Sequence, residues 1–256
     1  MQLLTIDHLA MQFGGLVAIK DLSMTVEAGT IHGVIGPNGA GKTTLFNAIS
    51  GRHKVTKGRI RFKDKAINGL KPHKIVAQGL ARTFQHVTLF KDFSVLKNMM
   101  VGRHLHSGYS YWGALINSAG TRRAEAENAT RAREILDFVG LSAVADDDAS
   151  SLPHGHQRAL GIAIALASEP QLLMLDEPCA GMNSDETRTM IELIERIRQD
   201  GTSIMLIEHD MKVVMHLCDK ITVLNFGTKI AEGTPQEILK NPLVHEAYLG
   251  TSANVA

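Results

Sequence analysis

The segment Gly36-Pro37-Asn38-Gly39-Ala40-Gly41-Lys42-Thr43-Thr44 constrains this chain more than any other. It lies between a short apolar run, residues 31–35, and a stretch of helical character, residues 42–50, closed by Gly51. Glycines at this spacing let consecutive backbone N–H groups turn inward around phosphate oxygens. The helix that follows adds unpaired donors and a favourable dipole. Strand, loop and helix in this order make a phosphate-binding unit, and ATP is its expected ligand. Lys42 is expected to reach the β- and γ-phosphates, the Thr43 hydroxyl to ligate Mg²⁺, and Thr44 to bond an α-phosphate oxygen.

The remaining pattern fits such a unit. Residues 3–9, 22–26 and 57–62 read as strands. From about residue 87 to 167 the signals are helical. Residues 121–139 are charged, alanine-rich and closed by Gly140; residues 159–167 are apolar nearly all round and expected to be buried. Strand and helix then alternate: strand 171–175, helix 187–199, strand 203–207, helix 211–218. Residues 221–224 and 229–231 read as a hairpin, and Thr234-Pro235 as a helix start. The predicted architecture is α/β, a parallel core with a helical insertion between Gln85 and Leu172.

Composition narrows the function classes. The chain has 256 residues, 44% of them apolar and 21% charged, enough for one large core. A net charge of +1 argues against an electrostatic nucleic-acid binder. Cys179 and Cys218 have no paired spacing, as expected in a reducing compartment. The N-terminus lacks a secretory pattern. The most apolar stretch, 159–175, is interrupted by Ser168, Glu169 and Pro170 and is too short for a bilayer. The expectation is a soluble protein that meets a membrane only through a partner.

A second chemical feature is the apolar strand Leu172-Leu173-Met174-Leu175 ending in Asp176-Glu177-Pro178. Beside a phosphate loop, Asp176 is placed to hold Mg²⁺ through water. Glu177 stands where a general base or water-orienting group is needed. The histidine pairs His104/His106 and His154/His156, and His209 with His216, lack zinc-site spacing and are expected to be solvated.

Further segments carry a family resemblance. Gln85 follows Arg82-Thr83-Phe84. Leu152-Pro153-His154-Gly155-His156-Gln157 precedes a helix that precedes the acidic strand. His209 closes the strand 203–207 within Glu208-His209-Asp210. In this order the chain resembles an ABC-type ATPase subunit over nearly its whole length. Phe13-Gly14-Gly15-Leu16, Ala180-Gly181-Met182-Asn183, Asn225-Phe226-Gly227 and Glu232-Gly233-Thr234-Pro235 narrow the resemblance to the ATP-binding subunits of high-affinity branched-chain amino acid importers. Importers of urea, amides and other small solutes share much of this pattern.

The resemblance implies a P-loop NTPase (RecA-like) core with an N-terminal antiparallel β subdomain, residues 1–85 and 168–256, and an ABC-type helical subdomain, residues 86–167. It implies two ATPase subunits that meet head to tail, as a homo- or heterodimer, around two ATP molecules. Each site joins the phosphate loop of one chain to the signature segment of the other. Phe13 matches the position that stacks on adenine, though a core phenylalanine is the plainer alternative. Gln85 matches the residue that senses Mg²⁺ and the attacking water. His209 matches the switch histidine at the γ-phosphate. Asn183 matches a partner-facing loop, or caps the helix after it. Two permease subunits would receive the motion of the insertion, with 84–100 and 109–112 as contact segments. A solute-binding protein would act indirectly, and the location would be the cytoplasmic face of the inner membrane, with no nucleic-acid partner. Alternatives are a urea/amide import or lipid export system and a non-transport ABC ATPase.

One departure stands out. The family signature has Ser where this chain has Pro153, and proline offers neither a hydroxyl nor an N–H. Either His154 or His156, beside the retained Gly155, replaces the lost donor, or the site completed in the partner is weakened; the second reading is preferred. Pro153 as a plain helix start is a third reading. Ile164 also stands where an Arg often sits.

Overall fold

The computed structural model describes residues 1–83, 89–90, 92–103 and 119–249, with the side chains of 119–122 and 249 left aside. The chain opens with two long antiparallel strands, β1 (Gln2–Phe13) and β2 (Leu16–Glu27). β3 (Ile31–Ile35) runs into the phosphate loop and α1 (Lys42–Ile49). Then come β4 (Lys57–Phe62), β5 (Lys65–Ala66), the short α2 (Pro72–Val76) and β6 (Leu80–Arg82). The helices α3 (Val95–Gly102), α4 (Ala119–Phe138) and α5 (His154–Leu166) follow. The chain ends with β7 (Leu172–Asp176), α6 (Ser184–Gln199), β8 (Ser203–Ile207), α7 (Met211–Leu217), β9 (Lys220–Asn225), β10 (Thr228–Gly233), α8 (Pro235–Leu239) and α9 (Pro242–Leu249).

Two sheets result. One is antiparallel, in the order β2-β1-β4-β5; the other has the order β10-β9-β3-β8-β7-β6, parallel throughout except for the β9–β10 hairpin. β3, β7 and β8 are buried along their whole length, which is why, apart from His32, Ser203 and Asp176, they read as apolar runs rather than alternating ones. Their side chains alternate between two cores. Leu173, Leu175, Ile204 and Leu206 face the helices α5, α6 and α7, whereas Leu172, Met174, Met205 and Ile207 face α1 and the antiparallel sheet. The large sheet is thus the middle layer of a sandwich. Val95, Met99, Ala132, Ile135 and Leu136 of α3 and α4 join the first of these cores. No helix among the described residues is long and apolar enough to cross a membrane.

Several boundaries differ from the sequence expectation. α5 begins at His154 rather than near residue 159. Pro153 takes the N-cap place with φ −54°, its carbonyl accepts from Gln157 N–H at 3.0 Å, and the Gln157 side chain reaches back to the Leu152 carbonyl at 2.9 Å. These local bonds of Gln157 outweigh the poor helix propensity of Pro-His-Gly-His. α6 begins at Ser184 rather than 187, because Asn183 and Glu186 close a capping box. Asn183 is therefore a helix cap. Ile164 of α5 packs on Gly102 of α3, where a Cβ would stand 2.9 Å from the Ile164 methyl.

Candidate functional site

The phosphate loop leaves the centre of the parallel sheet. Gly36 follows β3 at φ +150°, and a Cβ there would lie 2.0 Å from the Leu224 carbonyl oxygen. Gly41 caps α1 at φ +105°, with the Ala18 carbonyl 2.8 Å from where its Cβ would be. At both positions only glycine fits the turn and its contacts. The loop is thereby clasped between β9, the start of β2 and α1. Gly227, in the β9–β10 turn, donates its N–H to Ala40 at 3.0 Å and accepts from Lys20 at 2.9 Å. From the C-terminal helix α9, Tyr248 shares a hydrogen bond with the Gly36 backbone, and its phenol is pushed up by burial.

Lys42 is buried, and its ammonium donates to the carbonyls of Gly36 at 2.6 Å and Pro37 at 3.0 Å. Burial lowers its pKa, while the charges of Glu177 and Asp176 oppose that shift. A cation thus stands over the loop, facing two carboxylates at the end of β7. Thr43 is exposed and Thr44 half-buried, both at the same opening.

Asp176 is buried and pairs with Arg82 of β6 at 2.7 Å. Arg82 also donates to Asn47 at 2.7 Å and Ser50 at 3.2 Å, and lies over the Phe46 ring, so the edge strand is fastened to α1. Glu177 adopts φ +51°, a left-handed conformation that costs about 1–2 kcal/mol in a non-glycine residue. Its N–H donates to Ile207 at 2.9 Å. Its carboxylate lies 2.6 Å from His209 Nε2. Strained backbone thus presents a carboxylate and an imidazole together at the carboxyl ends of β7 and β8.

These groups share one cleft of about 480 Å³, lined by residues 38–44, Glu177 and His209 on the polar side and by Leu16, Val17 and Phe226 on the apolar side. Loop N–H groups, a lysine, an apolar shelf and a carboxylate–imidazole pair are the groups that binding and hydrolysing a nucleotide require. Hydroxyl and carboxylate oxygens are the donors Mg²⁺ takes; Thr43 lines the cleft, and Asp176 is buried against Arg82 at the end of β7.

Other sequence-predicted residues lie elsewhere. Phe13 is half-exposed at the end of β1, edge-on to His53 at 5.2 Å between ring centroids, outside the set that lines the cleft. Pro153, His154, Gly155 and His156 form the cap and first turn of α5, away from the cleft. There Gly155 meets Glu186 and His154 meets Gly181. Gln85, His86, Val87 and residues 109–112 lie outside the described residues. Sequence reasoning missed Phe226, Arg82 as the partner of Asp176, and Glu208. Glu208 reads as one more polar residue in Glu208-His209-Asp210, yet it is 4% exposed.

Comparison with known proteins agrees with this geometry. Residues 19–180 match the model of the ABC transporter family. Residues 228–254 match that of the branched-chain amino acid ATP-binding cassette transporter. The chain is 44% identical to the high-affinity branched-chain amino acid transport ATP-binding protein LivG of Salmonella typhimurium, over 97% of this chain and 98% of the relative. It is 42% identical to BraF of Pseudomonas aeruginosa, which bears the same description, over the same shares. A solved ATP-binding cassette of an ABC transporter in its ADP conformation superposes with a TM-score of 0.84 at 30% identity, covering 98% of this chain and 99% of that one. The chain belongs to the ABC transporter family and is one of its ATP-hydrolysing subunits.

Proposed function

We propose that this subunit powers uptake of branched-chain amino acids, working with a second ATPase subunit, two permeases and, indirectly, a solute-binding protein. One observation carries the catalytic part: the Glu177–His209 pair opens into the same cleft as the phosphate loop. The similarity to LivG and BraF along the whole chain supports the solute class. Such an assembly sits at the cytoplasmic face of the membrane, with the chain held there by the permeases.

The chemistry follows from the residues. Loop N–H groups of Gly39, Ala40 and Gly41 and the Lys42 ammonium bind the phosphates. Thr43 and Asp176 would hold Mg²⁺, which neutralises charge on the transferring phosphoryl group. Glu177 takes a proton from, or orients, the attacking water, and His209, which holds Glu177 through Nε2 here, turns that N–H to the γ-phosphate once ATP is bound. The Leu16–Val17–Phe226 shelf borders the adenine side, with Phe13 next to it through its pairing with Leu16. Gln85 links the site to residues 86–167, which move against the core (1–85 and 168–256) and push the permease loops. Exposed, stacked Phe90 and Phe93 supply an apolar surface for that contact. Proteoliposomes holding the whole complex are expected to take up labelled leucine only with ATP and the binding protein. Uptake of urea or amides instead of leucine would overturn the assignment of solute.

The signature supports a weakened partner site. Pro153 supplies no donor, and the first-turn N–H groups of His154, Gly155 and His156 are what remains to face a phosphate. Pro153→Ser is expected to raise ATP turnover of the complex roughly two- to tenfold, the worth of one regained hydrogen bond of ~0.5–1.5 kcal/mol. Unchanged turnover would favour histidine replacement of the donor.

A further inference from the structure

Two loops meet behind the hydrolytic pair. One runs from β7 to α6 and carries Glu177; the other follows β8 and carries His209. Three cross-links hold them together. Glu177 N–H donates to the Ile207 carbonyl at 2.9 Å, and the Glu177 carboxylate meets His209 at 2.6 Å. Between these, Glu208 Oε1 accepts from Cys179 N–H at 2.8 Å, while its Oε2 accepts from His209 N–H at 3.0 Å.

The residue type is dictated by this pattern. A carboxylate offers acceptors on both oxygens and so serves two N–H donors at once. An amide of the same shape would turn its NH₂ toward one of them. Glu208 is buried, and a buried carboxylate is tolerated only when hydrogen-bonded in this way. The Cys179 thiol is raised by burial and by the Glu208 charge beside it, so it stays protonated. Beyond Cys179 the loop is internally bonded: Ala180 N–H to Glu177 and Met182 N–H to Cys179, each 3.2 Å. It ends at the Asn183 cap and passes His154 of the signature turn at Gly181.

We propose that Glu208 is a positioning residue for ATP hydrolysis, clamping the backbone of Cys179 to that of His209 so that displacement of residues 180–183 reaches the Glu177–His209 pair. This rests on Glu177 and His209 being the hydrolytic pair. It assigns Glu208 no contact with ATP. Its loss misplaces the two groups without touching the phosphate loop.

The test uses the assembled transporter carrying Glu208→Gln, with Glu177→Gln alongside. Glu208→Gln is expected to lower kcat about ten- to a hundredfold, as a misplacement of catalytic groups by about 1 Å does, with KM for ATP unchanged. Alkylation of Cys179 by N-ethylmaleimide is expected to speed up more than that of buried Cys218, whose thiol the Glu208 charge raises less than burial and Asp219 do. Glu208→Asp keeps the charge but is one methylene too short to span both donors, and should show the same split. Wild-type turnover in Glu208→Gln beside a stalled Glu177→Gln would overturn the proposal alone. So would a rise in KM matching the loss of kcat. Full turnover in Glu177→Gln would remove the pair, and the proposal with it.

Discussion

Glu177→Gln is expected to bind ATP as the native chain does and to turn it over about two to four orders of magnitude more slowly, the usual worth of a positioned general base. Binding survives because it rests on groups the substitution leaves alone: the N–H donors of residues 39–41, the Thr43 and Thr44 hydroxyls, and the Lys42 ammonium. Turnover falls because an amide cannot accept the proton of the attacking water. Glutamine keeps the shape, so the left-handed backbone at this position and its hydrogen bond to Ile207 are undisturbed. A fluorescent ATP analogue reports the binding and phosphate release reports the chemistry. Native turnover would exclude Glu177 from the proton transfer.

The second large effect concerns stability. Arg82→Ala is expected to destabilise the fold by about 3–5 kcal/mol, because it leaves the Asp176 carboxylate buried without its cationic partner. The pair is almost sealed from water, with side-chain exposures of 5% and 4%. The same change removes donors to Asn47 and Ser50 and the guanidinium lying over Phe46. Arg61 and Asp7, 2.8 Å apart but about two-fifths exposed, offer the contrast: breaking that pair should cost about 0–1 kcal/mol. Urea denaturation of the two alanine variants at Arg82 and Arg61, with the slope compared as well as the midpoint, separates these outcomes.

Much of the architecture was legible because the strongest local signals agree with the tertiary environment. The run Ile31–Ile35, the loop and the start of α1 coincide with expectation, and so do the β9–β10 hairpin and the Thr234 cap with Pro235 after it. β6 was not legible. It has three residues, and it is a strand because β7 pairs with it, a long-range fact with no trace in three letters. The start of α5 at His154 was legible only as one reading of Pro153, and bonds from Gln157 within that first turn fix it. At the site, glycine spacing announces the phosphate loop, but nothing local announces that Glu208 points inward or that Phe226 stands exposed on a left-handed turn at φ +44°. Periodicity reports burial of faces; it is silent on single polar side chains at the ends of strands, which is where these residues lie.

The strand order β10-β9-β3-β8-β7-β6 ranks the protein's backbone by how it opens. β3, flanked by β9 and β8, exchanges its amide hydrogens with solvent deuterium only when the whole sheet comes apart, so the nucleotide loop inherits the slowest-exchanging scaffold in the molecule. β6 is paired on one side only, so its amides exchange through cheap, local fraying. The segment that grips the nucleotide is therefore rooted in the sheet's middle, and the margin is where the sheet opens first. Fraying at the margin can recur many times without once unmaking the middle.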